Sequence, residues 1–241
     1  ILGLAYRRFV IKPEALGKFS STSALVSVFI VTLMTTYLID ELHILTGAAE
    51  KFNWWLHSGV IGGFLFLIPQ SKHMHLVMAF PNVFFYDTEP MAKMRPLAVN
   101  ESGQAVPLED LDIETFGVSS YEEFSWRQLI DGWACTTCVR CQDVCPAYES
   151  GKALNPMQII HDIRDYANEH APILLKGETP DESILDRMSA EAVWARTTCH
   201  ACVDACPVYI EHVPKLTDLR RNAMMETMEY PEELNVAMGN L

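Results

Sequence analysis

The chain has 241 residues, with 18 lysines and arginines against 31 aspartates and glutamates, a net charge of −13. That length allows one or two domains, and the acidity argues against nucleic acid as a partner, which would call for a basic face. Hydrophobic residues make up 49% of the chain, and they are unevenly spread: residues 20–70 are heavily apolar, while 97–125 and 175–192 are acidic and polar.

Residues 1–19 carry Arg7, Arg8, Lys12 and Lys18 against one acid, Glu14. The first residue is Ile1 and no signal-peptide pattern follows, so a piece of a longer chain is expected. An apolar run from Ser23 to Ile39 resumes at Leu42–Leu45, about the 20 residues that cross a bilayer. After a loop around Thr46–Asn53, a second apolar run extends from Trp54 to Pro69. The pattern predicts two transmembrane helices, at about 22–45 and 53–75, with the Trp54–Trp55 pair at a membrane interface. Basic residues flank both runs on one side, with Lys72, Lys93 and Arg95 following the second. By the positive-inside rule, the N-terminus and everything after about residue 72 are then cytoplasmic. The alternative is a pair of buried helices in a soluble core. Residues 76–86 read as an interfacial segment, which completes a membrane domain over 1–96.

Histidines in such a setting are functional candidates. His57 and His75 are 18 residues apart (75 − 57), about five helical turns, so on one straight helix they face the same way. That spacing suits axial ligation of two stacked b-type haems, with His43 or His73 as further candidates. His161, His170, His200 and His212 are expected to be solvated or to support other groups.

Residues 97–120 read as a loop leaving the membrane, and 97–241 as a cytoplasmic helical domain. Asn155-Pro156 reads as an N-cap and first helical position, followed by an apolar face of Ile159, Ile160, Ile163 and Tyr166. Asp181 is the expected cap of a helix bearing Ile184, Leu185 and Met188. A last helix is expected over Lys215–Glu229, with Leu216, Leu219, Met224 and Met228 packing. The fold class is all-α: transmembrane helices, then an α-helical ferredoxin-like domain.

All seven cysteines lie in two stretches that repeat each other. The first, Trp133-Ala134-Cys135-Thr136-Thr137-Cys138-Val139-Arg140-Cys141-Gln142-Asp143-Val144-Cys145-Pro146, has the C-x2-C-x2-C-x3-C-P spacing that wraps an iron–sulfur cubane. The second, Trp194-Ala195-Arg196-Thr197-Thr198-Cys199-His200-Ala201-Cys202-Val203-Asp204-Ala205-Cys206-Pro207, matches it except that Arg196 replaces the first cysteine. In two-cluster ferredoxins the fourth cysteine of each run ligates the other cluster. One [4Fe–4S] cluster is therefore expected on Cys135, Cys138, Cys141 and Cys206. A second is expected on Cys145, Cys199 and Cys202, either [3Fe–4S] or [4Fe–4S] with an open corner. Zinc and disulfides are the competing readings; interlocked runs and an odd cysteine count fit neither. Thiols held by metal indicate a reducing compartment.

Pro69–His75 with Pro81–Phe85 resembles the end of a haem b membrane domain similar to the nitrate reductase gamma subunit. Phe124–Asp131 leading into the first cysteines, and Asp218–Asn222 with Pro231–Leu234, resemble the heterodisulfide-reductase-related iron–sulfur proteins. The resemblance implies an electron-transfer subunit of an oxidoreductase in a prokaryotic inner membrane. It further implies a quinone partner (menaquinone), a cytoplasmic flavoprotein and other subunits of a redox complex. A heterodisulfide or thiol reductase, with its catalytic domain elsewhere, is the alternative. No catalytic acid, base or nucleophile constellation is visible.

Overall fold

A computed structural model describes residues 3, 6–11, 21–88, 96–97, 106–107 and 116–239. Lys12, Lys18, Lys93 and Arg95, used above for membrane orientation, lie outside the described residues, as does most of the expected 97–120 loop. The chain divides into two compact units, Ile1–Met74 and His75–Leu241, whereas the sequence placed its domain boundary at 96. Among the described residues all regular structure is helical.

In the first unit, α1 (Ser21–Glu41) is apolar on all sides and almost wholly unburied. At 1.5 Å per residue it is about 30 Å long, the thickness of a bilayer core. Its hydroxyls are satisfied within the helix: Ser27, Thr32 and Thr35 each donate to the carbonyl four residues back, at 2.8–2.9 Å. Such internal bonding lets polar side chains sit in apolar surroundings. The helix stops at Glu41, short of the expected residue 45, and His43 turns left-handed at φ 49°.

Gly47, at φ 66°, then leads into α2 (Ala48–Leu67). Phe29 and Phe64 meet edge to face at 5.3 Å across the two helices. Gly63 permits this approach, since a Cβ there would stand 3.1 Å from the Phe29 ring.

Two features differ from the expected pair of spans. Among the described residues one helix, α1, is long and apolar enough to cross a membrane. The second helix starts earlier than expected, with Glu50 and Lys51 in its first turns, and ends at Leu67 rather than 75. Pro69 has no N–H for the ladder and crowds the preceding turn. A turn and the 3-10 segment Lys72–Met74 follow, and His75 opens a new helix. His57 and His75 therefore do not share one helix, and the five-turn argument for their common facing lapses.

The second unit begins with α3 (His75–Phe84), the segment expected at the interface. Leu76, Phe80 and Phe84 are exposed on it, while Asn82 is fully buried. Next come α4 (Trp126–Ala134), α5 (Arg140–Asp143), α6 (Pro146–Glu149) and α7 (Pro156–Leu174). After them come α8 (Ile184–Arg187), α9 (Ala190–Trp194), α10 (Ala201–Asp204) and α11 (His212–Met225).

The central α7 forms as the sequence predicts. Asn155 accepts from the amides of Met157 and Gln158, and Ile159, Ile160, Ile163 and Tyr166 are all buried. Ile184 of α8 and Leu216 and Leu219 of α11 complete the core around it. Ser183, not Asp181, caps α8, by accepting from Leu185 N. Helix α11 starts three residues before the expected Lys215 and ends at Met225; Met228 lies beyond it and is exposed, so it packs nothing. Gly117 is obligatory at φ 77°, because a Cβ would fall 2.2 Å from Asp218 O of α11.

A buried charged network crosses this core. Asp131 of α4 accepts from Arg127 (3.2 Å), from Lys215 and from the Glu211 amide (3.2 Å). Arg127 also donates to Asn82 Oδ1 and to Phe85 O (3.0 Å), and Asn82 donates to Val208 O at 2.8 Å. The network thereby fastens α3 to the helices that carry the cysteines.

Candidate metal centre

The two cysteine stretches fold as structural copies. Cys135 ends α4, its amide donating to Asp131 O at 3.1 Å. Val139 then adopts a left-handed conformation (φ 71°) and caps α5. In the second stretch His200 does the same (φ 60°) and caps α10. The amides of Gln142 and Asp143 bond to Val139 O as those of Val203 and Asp204 bond to His200 O. Cys145 N pairs with Gln142 O, and Cys206 N with Val203 O. Thr137 and Thr198 match as well, at φ 54° and 55°. A left-handed β-branched residue such as Val139 costs about 1–3 kcal/mol and persists where its surroundings impose it. That the strain recurs at equivalent positions marks these loops as shaped to present thiols.

Cys135, Cys138, Cys141 and Cys206 line one cavity, with Met157 and His212 among its other walls. The quartet expected from spacing is thus brought together, including the thiol from the far stretch. His161 Nε2 lies 3.6 Å from Cys135 Sγ, and the Ile210 amide donates to Cys206 Sγ at 3.4 Å. Burial, and then the charges of its fellow cysteines, pushes the Cys141 thiol up to about 12. Burial likewise lifts Cys135 to about 11. Cys141 and Cys206 are buried, Cys135 is half-buried and Cys138 is exposed. Burial disfavours their thiolates unless a cation lies among them, and thiolate donors in this spacing suit an iron–sulfur cluster. The cavity therefore fits an iron–sulfur cluster.

The second expected set is Cys145, Cys199 and Cys202, whose charges all act on Arg196. Arg196 Nη2 stands 3.9 Å from Cys202 Sγ. Burial raises the Cys202 thiol, Arg196 opposes the shift, and Cys145 and Cys199 add to it. Cys199 is exposed and lies below its usual range. Burial, the largest single effect, raises it, but hydrogen bonds from the Ala201 backbone and the Thr197 side chain, with the Arg196 charge, together outweigh it.

These shifts give a first expected result. Only the thiolate is alkylated, so in folded protein stripped of metal Cys199 should react first with iodoacetamide. Cys141 should react last, since a thiol near 12 is about one part in ten thousand ionised at pH 8. Site-resolved mass spectrometry reads the order, and equal rates at the two positions would contradict it.

Two histidines have closer parts than the sequence suggested. Besides His161 at Cys135, His212 is fully buried at the cavity wall, with Nδ1 3.1 Å from Ile210 O. Burial pushes His161 down to about 4; burial and the Lys215 charge push His212 down to about 3. Both are neutral near pH 7. No spacing rule points to either, because their contacts arise from helix packing.

Of the haem candidates, His57 is half-buried on α2, with Nδ1 2.8 Å from Thr36 Oγ1. Thr36 Oγ1 also lies 2.8 Å from Thr32 O and 3.0 Å from Leu33 O. In the Nδ1–H tautomer His57 donates to Thr36 Oγ1 and keeps its lone pair on Nε2. Asn53 Nδ2 closes the group by donating to Thr36 O at 2.9 Å. His75 is the first residue of α3. His43 sits in the exposed turn after α1, and His73 beside Ser71 in the 3-10 segment.

Residues 127–207 match the family of the 4Fe-4S dicluster domain. Over 215 residues the chain is 32% identical to the "EtfAB:quinone oxidoreductase" of Syntrophomonas wolfei, covering 80% of this chain and 29% of that protein. It is 35% identical to a "Probable membrane-anchored ferredoxin" of Chromohalobacter salexigens, over 57% of this chain and 23% of the relative. It is also 31% identical to a subunit of the ferredoxin:CoB-CoM heterodisulfide reductase of Methanosarcina mazei, over 45% and 56% of the two chains. The chain thus spans about a third of the length of the first relative, and just over half of the last. No solved structure matches the chain. The relatives are named as oxidoreductases or their subunits and as a ferredoxin, and the dicluster match spans both cysteine stretches of this chain.

Proposed function

We propose that this chain is the electron-relay part of a larger membrane-bound oxidoreductase, passing electrons between iron–sulfur clusters and a quinone by way of haem b. The observation that carries the reading is the cavity in which Cys135, Cys138 and Cys141 meet Cys206. Clusters and haem, when bound, supply one-electron chemistry, and the protein sets ligation, spacing and charge around them. Cys135, Cys138, Cys141 and Cys206 hold a [4Fe–4S] cluster; Cys145, Cys199 and Cys202 hold the second. Helix α1 anchors the chain in the membrane, and the cysteine-bearing unit lies on the cytoplasmic side.

His57 is the proposed axial ligand of one haem. Its Nδ1–H is committed to Thr36, which fixes the ring and leaves Nε2 available for iron, the pattern by which ligating histidines are oriented. His75 is proposed for a second haem on the family resemblance alone. The quinone being menaquinone, and a cytoplasmic flavoprotein as a redox partner, rest on the same resemblance and on the relative named for EtfAB and quinone.

The test is an optical and metal inventory of the anaerobically purified complex. It should contain iron, acid-labile sulfide and a b-type haem spectrum. His57→Ala should remove one haem signal and leave the iron–sulfur spectra intact. Unchanged haem content in that variant sinks the haem assignment, and absence of sulfide sinks the relay itself. Likeness to part of a heterodisulfide reductase favours a second reading, in which the relay serves a disulfide-reducing partner. Reduced clusters that reoxidise with a disulfide but not with a quinone analogue would select it.

A further inference from the structure

The two stretches differ at one corner. Cys135 and Arg196 occupy the same place after a Trp-Ala pair, and the loops behind them repeat bond for bond. Arg196 turns towards the thiols, with Nη2 3.9 Å from Cys202 Sγ. Its Nε is buried and has no hydrogen-bond partner. The residue is held in this position from α11. Arg220 donates to Arg196 O at 2.9 Å and to Val193 O at 2.8 Å, and its guanidinium stacks on the Trp194 ring at 5.3 Å. A side chain on a clamped backbone, with a spare buried donor beside the Cys202 thiol, has the form of a group awaiting an anion.

A guanidinium has five donors, a permanent charge and no lone pair. It cannot ligate iron, but it can donate to cysteine sulfur and to inorganic sulfide. We propose that Arg196 stands in place of a fourth thiolate at the second cluster site, which leaves three irons held by Cys145, Cys199 and Cys202 as [3Fe–4S], and that its charge raises the potential above that of a site without it. The proposal rests on the relay reading given above and defines what the second site of that relay is. Nη2 donates to the Cys202 thiolate, and Nε is the donor left for a cluster sulfide. Their fixed positive charge favours the state carrying one more electron. At the first site Cys135 itself fills this position, with His161 Nε2 3.6 Å from its Sγ.

Electron paramagnetic resonance of the complex, purified without oxygen, tests this. The oxidised protein should give the sharp three-iron signal, at about one spin for each four-iron spin seen on reduction. Arg196→Cys should abolish it and produce a second four-iron signal. Arg196→Ala should keep the three-iron signal, because the three thiolates are untouched, but shift its midpoint to lower potential. Arg196→Lys should restore part of that shift, which a merely structural role would not do. Oxidised wild type without a three-iron signal overturns the proposal. So does conversion of the signal to a four-iron one on adding ferrous iron and reductant, and so does an unmoved midpoint in Arg196→Ala. Loss of the relay reading looks different: no four-iron signal and no sulfide in any variant.

Discussion

Replacing Cys206 with alanine should remove the cluster of the first cysteine stretch and spare that of the second, in which Cys206 itself lies. The cavity brings the Cys206 thiol to Cys135, Cys138 and Cys141, and the Ile210 amide steadies it there. Cys145→Ala should do the reverse, because the charges felt by Cys202 come from Arg196, Cys145 and Cys199. Each variant should lose about half of the cluster iron, with one spectroscopic signal vanishing and the other persisting. If each stretch served its own cluster, the two variants would exchange outcomes. Signal-by-signal quantitation therefore distinguishes crosswise from local ligation.

Asp131→Ala should be the most damaging change outside the cysteines. The carboxylate is 0% exposed and pairs with Arg127 and with Lys215, itself only 1% exposed. Burial pushes the Lys215 ammonium down, and Asp131 opposes that shift. Without its partner the ammonium is a buried, uncompensated charge, a loss of about 3–5 kcal/mol. Stabilities of whole domains are about 5–15 kcal/mol, so a large fraction is removed. Adding Lys215→Met to the variant should recover a good part of the loss, since the isolated charge is then gone. Denaturant titration of the holoprotein gives both numbers. A loss below about 1 kcal/mol for Asp131→Ala would show the network to be dispensable.

Local chemistry explains what could be read from the sequence. The cysteine quartet was legible because ligand spacing in a tight loop is nearly a backbone property, and the repeat supplied the missing thiol. The start of α7 was legible because Asn155 and Pro156 each suit one capping position and no other nearby residue competes. Asp181 and Ser183 both suit a cap, and only the fold decided for Ser183. The second apolar run was read through Pro69 as one helix, because hydropathy outvoted a single breaker. The charged network was not legible at all. Asp131, Arg127 and Lys215 belong to types that usually sit in water, and their burial depends on three helices meeting. Arg196 was visible as a departure from the repeat, but its clamp by Arg220 and Trp194 needed the fold.

The cavity that draws Cys206 to Cys135, Cys138 and Cys141 also sets an order in time. A ribosome adds about 5–20 residues each second, so some sixty residues of synthesis separate the third thiol from the fourth by several seconds. Throughout that delay the first stretch has emerged with its thiols unmatched, and no site of the folded kind exists. With the proposed crosswise ligation, iron and sulfide would be delivered to a chain already made beyond Cys206, not to the nascent first stretch. A chain stalled between the two stretches would expose four cysteines with no closed site, the form most open to oxidation and to capture by the wrong metal.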